Sequence, residues 1–214
     1  NGAAAHAFCH IFYKGLLMMS AGAVVHSTGR TRLTELGGLG KPLFWTFLFC
    51  AVGAFSISGV PLLNGFISKS LVISAAAEAH WGAPELMLIA ASMGTFLSIG
   101  LKLLWFTFGA ENQGARVQRD LPTSMSLAMA VSSAVCIITG VYPDILYRFL
   151  PFPVDYVPYT ASHVLQTVQL LIGTCLGFYL LRSWLRPKQM VSLDVDHLYR
   201  YPVAWAVANA GKIA

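Results

Sequence analysis

The chain has 214 residues, of which 56% are hydrophobic and only 11% are charged, and its mean hydropathy is +0.64. Soluble domains carry about 25% charged residues, so this composition excludes a water-soluble fold of this size and makes the lipid bilayer the surrounding solvent. The net charge of +5 comes from scattered Lys and Arg residues, which excludes a nucleic-acid-binding patch. Because backbone groups in lipid must be paired internally, we predict an all-α integral membrane protein.

Six apolar stretches follow one another along the chain, and a spanning helix needs roughly 17–25 residues. They are Ala3–Ser27, Leu43–Gly59, Pro61–Ala79, Leu86–Phe108, Thr123–Tyr142 and Thr160–Leu185. We therefore predict about six transmembrane helices. The second stretch is short and runs almost directly into the third.

The chain enters its first helix without an initiating Met or a basic leader, which indicates the later part of a longer protein or one product of a split gene.

The junction between the second and third stretches, near residues 56–69, predicts a discontinuous or tightly broken helix. Its break residues are Ser58, Gly59, Pro61 and Gly65. Pro removes a backbone donor and Gly weakens a helix. Either a tight turn joins two spans here, or one helix is broken at membrane depth. A break of the second kind survives only where protein or a water-filled cavity satisfies the backbone, and in transporters it often marks the pathway.

The connections give a first indication of topology. A basic cluster at residues 182–188 follows the sixth helix, and the positive-inside rule places it in the cytoplasm. With six separate spans, the basic residues of the first connection, at 28–42, would then lie outside. The tail at residues 193–214 is mildly amphipathic, and we expect it to lie along the membrane surface.

Three ionisable residues of the first stretch predict a proton-relay chain along one helix. His6, His10 and Lys14 stand at positions i, i+4 and i+8, which places them on one helix face over two turns. Imidazoles exchange protons near neutral pH, and a lysine removed from water releases its proton more readily. In the alternative interpretation, both histidines lie at the interface and Lys14 reaches the headgroups.

Two further lysines lie within apolar surroundings. Lys69 follows the predicted break, and Lys102 lies one to two turns before the end of its helix. Intramembrane charges indicate function by default; the alternative for each lysine is snorkelling to the headgroups. All nine acidic residues lie in or beside connections. The intramembrane lysines therefore lack carboxylate partners within the spans, so they are neutral part of the time or are stabilised by water or other chains.

No other chemistry is indicated. The sequence has no phosphate-binding loop, no GxGxxG and no HExxH pattern. The cysteines stand in separate apolar stretches without metal-ligand spacing, which is typical of small buried thiols. They are Cys9, Cys50, Cys136 and Cys175. We therefore predict no catalytic residue, no metal and no cofactor, and a membrane-embedded enzyme is the least favoured class.

Several segments resemble one family. Residues 6–17, HAFCHIFYKGLL, resemble the "HAxxHxxxKxLLF" helix of the antiporter-like proton-transporting subunits shared by respiratory complex I and Mrp-type cation/proton antiporters. The next signatures of that family follow in the same order, and they are similar to residues 20–26, 36–39, 53–61 and 65–69. The resemblance is specific over residues 3–75 and compatible through residue 108. Residues 192–200 are similar to the ending of Mrp subunit-D-like proteins.

The resemblance implies two inverted repeats of five helices, each with a broken helix and a half-channel. It implies that His10 and Lys14 are central relay positions of the second repeat, with His6 alongside. Lys69 would be the terminal lysine of the broken helix, and Lys102 a basic position with a less settled role. The first repeat and the first helix of the second repeat are absent, so we expect another chain or an N-terminal part to complete the channel.

We therefore expect a proton- or cation-translocating part of an Mrp-type cation/proton antiporter in a bacterial inner membrane, assembled with other membrane subunits. The transported ion would be the proton, alone or in exchange for sodium. The alternatives are a proton-pumping subunit of a complex I-type NADH:quinone oxidoreductase and a non-conducting membrane scaffold. The expected organisation is an incomplete half-channel at residues 1–110, additional transmembrane helices at 111–186 and a surface tail at 187–214.

Overall fold

The computed structural model describes residues 1–188 and 199–210, and all regular structure in these ranges is helical. The helices are α1 (Gly2–Thr28), α2 (Phe44–Ser58), α3 (Asn64–Glu78), α4 (Gly82–Gly109), α5 (Thr123–Val141), α6 (Pro143–Tyr147), α7 (Ala161–Leu181) and α8 (Ala204–Ala210). Four of them, α1, α4, α5 and α7, are long and apolar enough to cross a bilayer, and α2 is a shorter apolar helix. The prediction of an all-α membrane protein is confirmed. Half of the predicted surface tail, residues 189–198 and 211–214, lies outside the described residues.

Helix α1 lies at the centre of the bundle, where α2, α3 and α5 pack against it. Its inward face carries the fully buried side chains of Ala5, Cys9, Tyr13 and Leu16. These positions recur every three or four residues, which aligns them on one side of a helix. The described part of the chain leaves the opposite side of α1 open.

Helices α2 and α3 follow one another along α1, in the opposite direction to it. Gly53 of α2 packs against the backbone of Tyr13, in the middle of α1. Ser68 of α3 lies within hydrogen-bonding distance of His6, nearer the beginning of α1. The two apolar stretches therefore occupy one path across the bundle. The structure thus has a helix broken at membrane depth rather than a tight turn between two spans.

Helix α4 runs past both halves of this broken helix. Ser92 of α4 lines a cavity with Lys69 of α3, and Gly100 of α4 packs beside Ser58 at the end of α2. From Phe96 onward most of α4 is π-helical. The π-helical part begins where α4 passes the break, since Phe96 lines a cleft with Ser58 and Gly59.

The ends of the helices define the two sides of the bundle. The Gly40 N–H donates to the Phe108 carbonyl (3.1 Å), and the Gln118 N–H donates to the Ser27 carbonyl (2.7 Å). The first connection, the end of α4 and the beginning of α5 therefore lie at one end. At the other end, the Asn1 side chain bonds to the backbone of the connection before α7.

Basic residues collect at the first of these ends. The connections there carry Arg30, Arg32, Lys41, Arg116, Arg119, Arg182, Arg186 and Lys188, whereas those at the other end carry Arg148. The positive-inside rule therefore predicts that the first end is cytoplasmic. The expectation that the first connection lies on the opposite side from the end of α7 was therefore wrong. It treated α2 and α3 as two crossings, whereas together they make one.

Candidate functional site

The break between α2 and α3 begins with a Schellman motif. Gly59 has a left-handed backbone, with φ of 81°. Its N–H donates to the Ser56 carbonyl, and the Val60 N–H donates to the Phe55 carbonyl, both at 3.0 Å. This pattern satisfies the last carbonyls of a helix, and Pro61 cannot continue the helix because it lacks an N–H. Residues within the predicted break thus explain why α2 ends here.

Glycines allow neighbouring backbones to approach the break closely. A Cβ at Gly65 would overlap the Ser56 carbonyl oxygen, and a Cβ at Gly140 of α5 would lie 2.5 Å from the Leu62 carbonyl oxygen. Leu62 itself has φ of 72°, a region that residues with a Cβ rarely adopt. Close contact with α3 on one side and α5 on the other therefore fixes the path of the break.

Unpaired polar atoms lie beside the break. Both polar atoms of the Asn64 amide and the Ser56 hydroxyl are buried and have no hydrogen-bond partner among the described residues. Asn64 and Ser56 are fully buried. Burying polar groups without partners is costly. The interior of the bundle therefore holds unused hydrogen-bonding capacity at the depth where the helix is broken.

Lys69 lies just beyond the break, partly buried, with the carbon chain of its side chain against Gly59. It borders a cleft of about 80 Å³, whose lining is mostly apolar and includes the hydroxyl groups of Ser58, Ser92 and Thr167. A cavity needs roughly 10–15 Å³ of such space to hold one water molecule. The cleft is therefore large enough for several waters next to the ammonium group.

A second cavity, of about 210 Å³, connects Lys69 to His6. It is lined by Lys69 and His6, with hydroxyl groups of Ser92 and Thr95 on the α4 side. The structure thereby brings Lys69 and His6, both predicted from the sequence, to one cavity, although they lie on different helices.

His6 is the most highly connected of the predicted residues. Its Nδ1 lies 3.2 Å from the Ser68 hydroxyl, and its Nε2 lies 3.4 Å from the Tyr13 hydroxyl. The His10 ring is 6.1 Å from the His6 ring and 5.3 Å from the Tyr13 ring, centroid to centroid. Both nitrogens of His6 thus face hydroxyl groups, which can donate or accept. An imidazole held in this way can take a proton on one nitrogen and release one from the other.

The structure does not bring Lys14 or Lys102 into this cluster. Lys14 is exposed, as is His10, on the side of α1 that the described residues leave open. Lys102 is partly buried in the π-helical part of α4 and lines neither cavity of Lys69. The ion pairs of the described chain join Glu35 to Arg30 and Arg32 in the first connection, away from the intramembrane lysines.

Sequence reasoning missed two groups of the site. Tyr13 stands seven residues after His6, a spacing of two turns that predicts a shared helix face, so its role could have been found. The hydroxyl groups of Ser92 and Thr167 carry no such signal, because they reach Lys69 only through the packing of α4 and α7. Ser68 directly precedes Lys69 in the sequence, whereas its hydroxyl lies within hydrogen-bonding distance of His6.

Comparison with known proteins places the chain in a family. Residues 1–98 match the family described as NADH:quinone oxidoreductase/Mrp antiporter, TM. The chain is 31% identical to hydrogenase-4 component B of Escherichia coli over 64% of its length. It is 29% identical to a Na(+)/H(+) antiporter subunit of Bacillus subtilis over 66% of its length, and 26% identical to NADH-quinone oxidoreductase subunit L of Campylobacter jejuni over 85%.

The chain therefore belongs to the antiporter-like membrane subunits that complex I-type oxidoreductases and Mrp antiporters share. The family resemblance predicted from residues 3–75 is confirmed. The chain spans only 22%, 19% and 31% of the lengths of these three relatives, respectively. Relatives of this kind are subunits of larger membrane assemblies.

Proposed function

We propose that this chain forms part of the ion-conducting half-channel of an Mrp-type cation/proton antiporter in a bacterial inner membrane, together with other membrane subunits. The observation that carries the proposal is the position of Lys69. An intramembrane lysine directly after a helix break, beside a histidine and cavities that include hydroxyl groups, is what a proton relay requires. The family membership of residues 1–98 supports the same function.

The proposed route begins on the open side of α1. His10 and Lys14 face the part of the protein that completes the channel and receive protons from it. His10 passes a proton to the neighbouring His6, whose nitrogens face Ser68 and Tyr13. Water in the cavity between His6 and Lys69 carries it onward. A charged Lys69 favours a hydrated cavity, whereas a neutral Lys69 favours a drier cavity. The protonation state of this lysine therefore gates the path. Lys102 stands apart from this route.

A complex I-type parent is the second candidate. The similarity to NADH-quinone oxidoreductase subunit L extends over 85% of the chain, whereas the similarity to the Bacillus antiporter protein covers 66%. The same half-channel would then pump protons driven by electron transfer in other subunits, and sodium would have no direct part in transport.

The decisive experiment compares Lys69→Ala with the parent assembly in proteoliposomes. A pH gradient is imposed, and its dissipation is recorded with an internal pH dye, with and without sodium. Lys188→Ala is the matched control, because it removes the same charge at an exposed position after α7. We expect sodium-dependent dissipation in the parent and the control, and its loss in Lys69→Ala at unchanged subunit content.

The other outcomes separate the candidates. Sodium-independent proton movement that is lost in Lys69→Ala supports the complex I-type parent. Undiminished transport in both Lys69→Ala and Lys69→Met contradicts the proposed route and favours a non-conducting scaffold, because a scaffold tolerates the loss of the ammonium group.

A further inference from the structure

A wide apolar groove separates α7 from α2 and α4. Its volume is about 680 Å³, within the range of roughly 300–1,000 Å³ that is typical of ligand sites. Its walls include Phe55 of α2, Trp105 of α4 and Phe178 of α7. Helix α7 packs loosely on the bundle, with only 6% of its apolar segment buried inside the protein. The groove is therefore a gap between apolar helix surfaces that the described protein does not fill.

The groove extends through about one leaflet of a bilayer. On α7 it is lined from Cys175 to Arg182, and on α2 from Phe44 to Phe55. At a rise of 1.5 Å per residue, these intervals measure roughly 10 Å and 16 Å. Half of the hydrocarbon core is about 15 Å thick. The groove thus begins at the cytoplasmic end of the bundle and reaches close to the middle of the membrane.

The cytoplasmic mouth of the groove is basic. Lys41 and Arg182 line it, and the groove lining includes no acidic residue of the described chain. The Arg182 guanidinium lies 4.6 Å from the centre of the Tyr179 ring, a cation–π contact that holds it at the mouth. Neither residue forms an ion pair within the described chain. An anionic group at the mouth would therefore meet two cations, while apolar walls lie below it.

We infer that this groove binds an anionic phospholipid of the cytoplasmic leaflet. One acyl chain lies between α7 and the α2–α4 surface, and the phosphate group is bound between Lys41 and Arg182. The inference rests on charge complementarity at the mouth and on the match between groove depth and leaflet thickness. It does not depend on the proposed transport function.

The test is a lipid competition measured by native mass spectrometry on the purified protein with its co-purifying subunits. Phosphatidylglycerol and phosphatidylcholine with the same acyl chains are added in equal amounts, and the lipids retained are counted. We expect a preference for phosphatidylglycerol that falls about fivefold in Arg182→Gln and again in Lys41→Gln, since each basic residue near an anionic lipid contributes about 1 kcal/mol. Arg186→Gln is the matched control, because Arg186 is exposed nearby but does not line the groove.

A second variant tests the apolar part separately. Cys175→Trp adds an indole inside the groove without changing its charge, and we expect it to lower retention of both lipids. Equal loss in Arg186→Gln and Arg182→Gln would overturn the inference, because it would show general attraction to a basic surface. Unchanged retention in Cys175→Trp would also overturn it. So would a crosslink from Cys175 to another subunit, which would assign the groove to a protein helix.

Discussion

Replacing Gly65 with Ala inserts a methyl group where α3 touches the end of α2. The added Cβ overlaps the Ser56 carbonyl oxygen and lies 2.7 Å from its carbonyl carbon. Ordinary van der Waals contacts begin at 3.4 Å, and the oxygen is nearer than the carbon, so the two backbones must separate by more than about 0.7 Å. Lys69 lies one turn further along α3 and moves with it, away from Gly59.

The energetic effect follows from two opposing contributions. Overpacking of a well-packed interior costs about 1–3 kcal/mol, while Ala is favoured over Gly in a helix by up to about 1 kcal/mol. We expect a net loss of about 1–2 kcal/mol for Gly65→Ala. Gly94→Ala in α4 is the matched control, because nothing lies within 4 Å of its added methyl group, and it should be neutral or stabilising by up to about 1 kcal/mol.

The assay combines stability with transport. Thermal unfolding in detergent, followed by circular dichroism, should show Gly65→Ala below the parent and Gly94→Ala at or above it. The expected difference in unfolding temperature is about 2–4 °C for each kcal/mol of stability in a chain of this size. Dissipation of a pH gradient in proteoliposomes should be slower in Gly65→Ala alone, because the cavity between His6 and Lys69 is distorted. If Gly65→Ala matches Gly94→Ala in both measurements, the close α2–α3 contact does not hold the break in place.

Two further predictions concern the surroundings of the break. The Tyr159 hydroxyl donates a hydrogen bond to the Gly140 carbonyl, and burial raises the pKa of this phenol. Its stabilising contribution is therefore full below about pH 10, the ordinary tyrosine pKa, and is lost as the pH rises through the folded-state pKa. In thermal unfolding, Tyr159→Phe should be about 1 kcal/mol less stable than the parent at pH 8, and the difference should close above pH 10; a constant difference would contradict this. The cysteines provide a check on packing, because Cys175 is exposed and the other three are buried. Alkylation by N-ethylmaleimide in mild detergent, counted by mass, should modify Cys175 first and the others only after denaturation, and rapid modification of Cys136 would contradict the packing of α5 against the break.

Most of the fold could be predicted from the sequence because apolar length alone identifies spanning helices. Helices α1, α5 and α7 lie where the first, fifth and sixth apolar stretches predicted them. The number of crossings could not be read in the same way. Residues 43–59 and 61–79 each have the composition of a short span, and only the contacts of Gly53 and Ser68 with successive parts of α1 reveal one shared path.

The candidate site was predictable in its residue types rather than in its connections. The spacing of His6, His10 and Lys14 indicated one helix face, but an α-helix turns 100° per residue, so eight residues accumulate a drift of about 80°. His6 consequently faces α3, whereas Lys14 lies on the open side. The proximity of His6 to Lys69 depends on how two distant helices pack, and no periodicity within either segment encodes it.

Helix α7 supplies a wall to two different spaces. Thr167 and Thr174 line the cleft of Lys69, while Cys175 and Phe178 line the groove. Because α7 packs mainly against α4, a rigid displacement of this one helix changes both volumes together. If the occupant of the groove displaces α7, it also changes the space for water beside Lys69. By reciprocal linkage, the hydration of Lys69 would then change how firmly the groove is occupied.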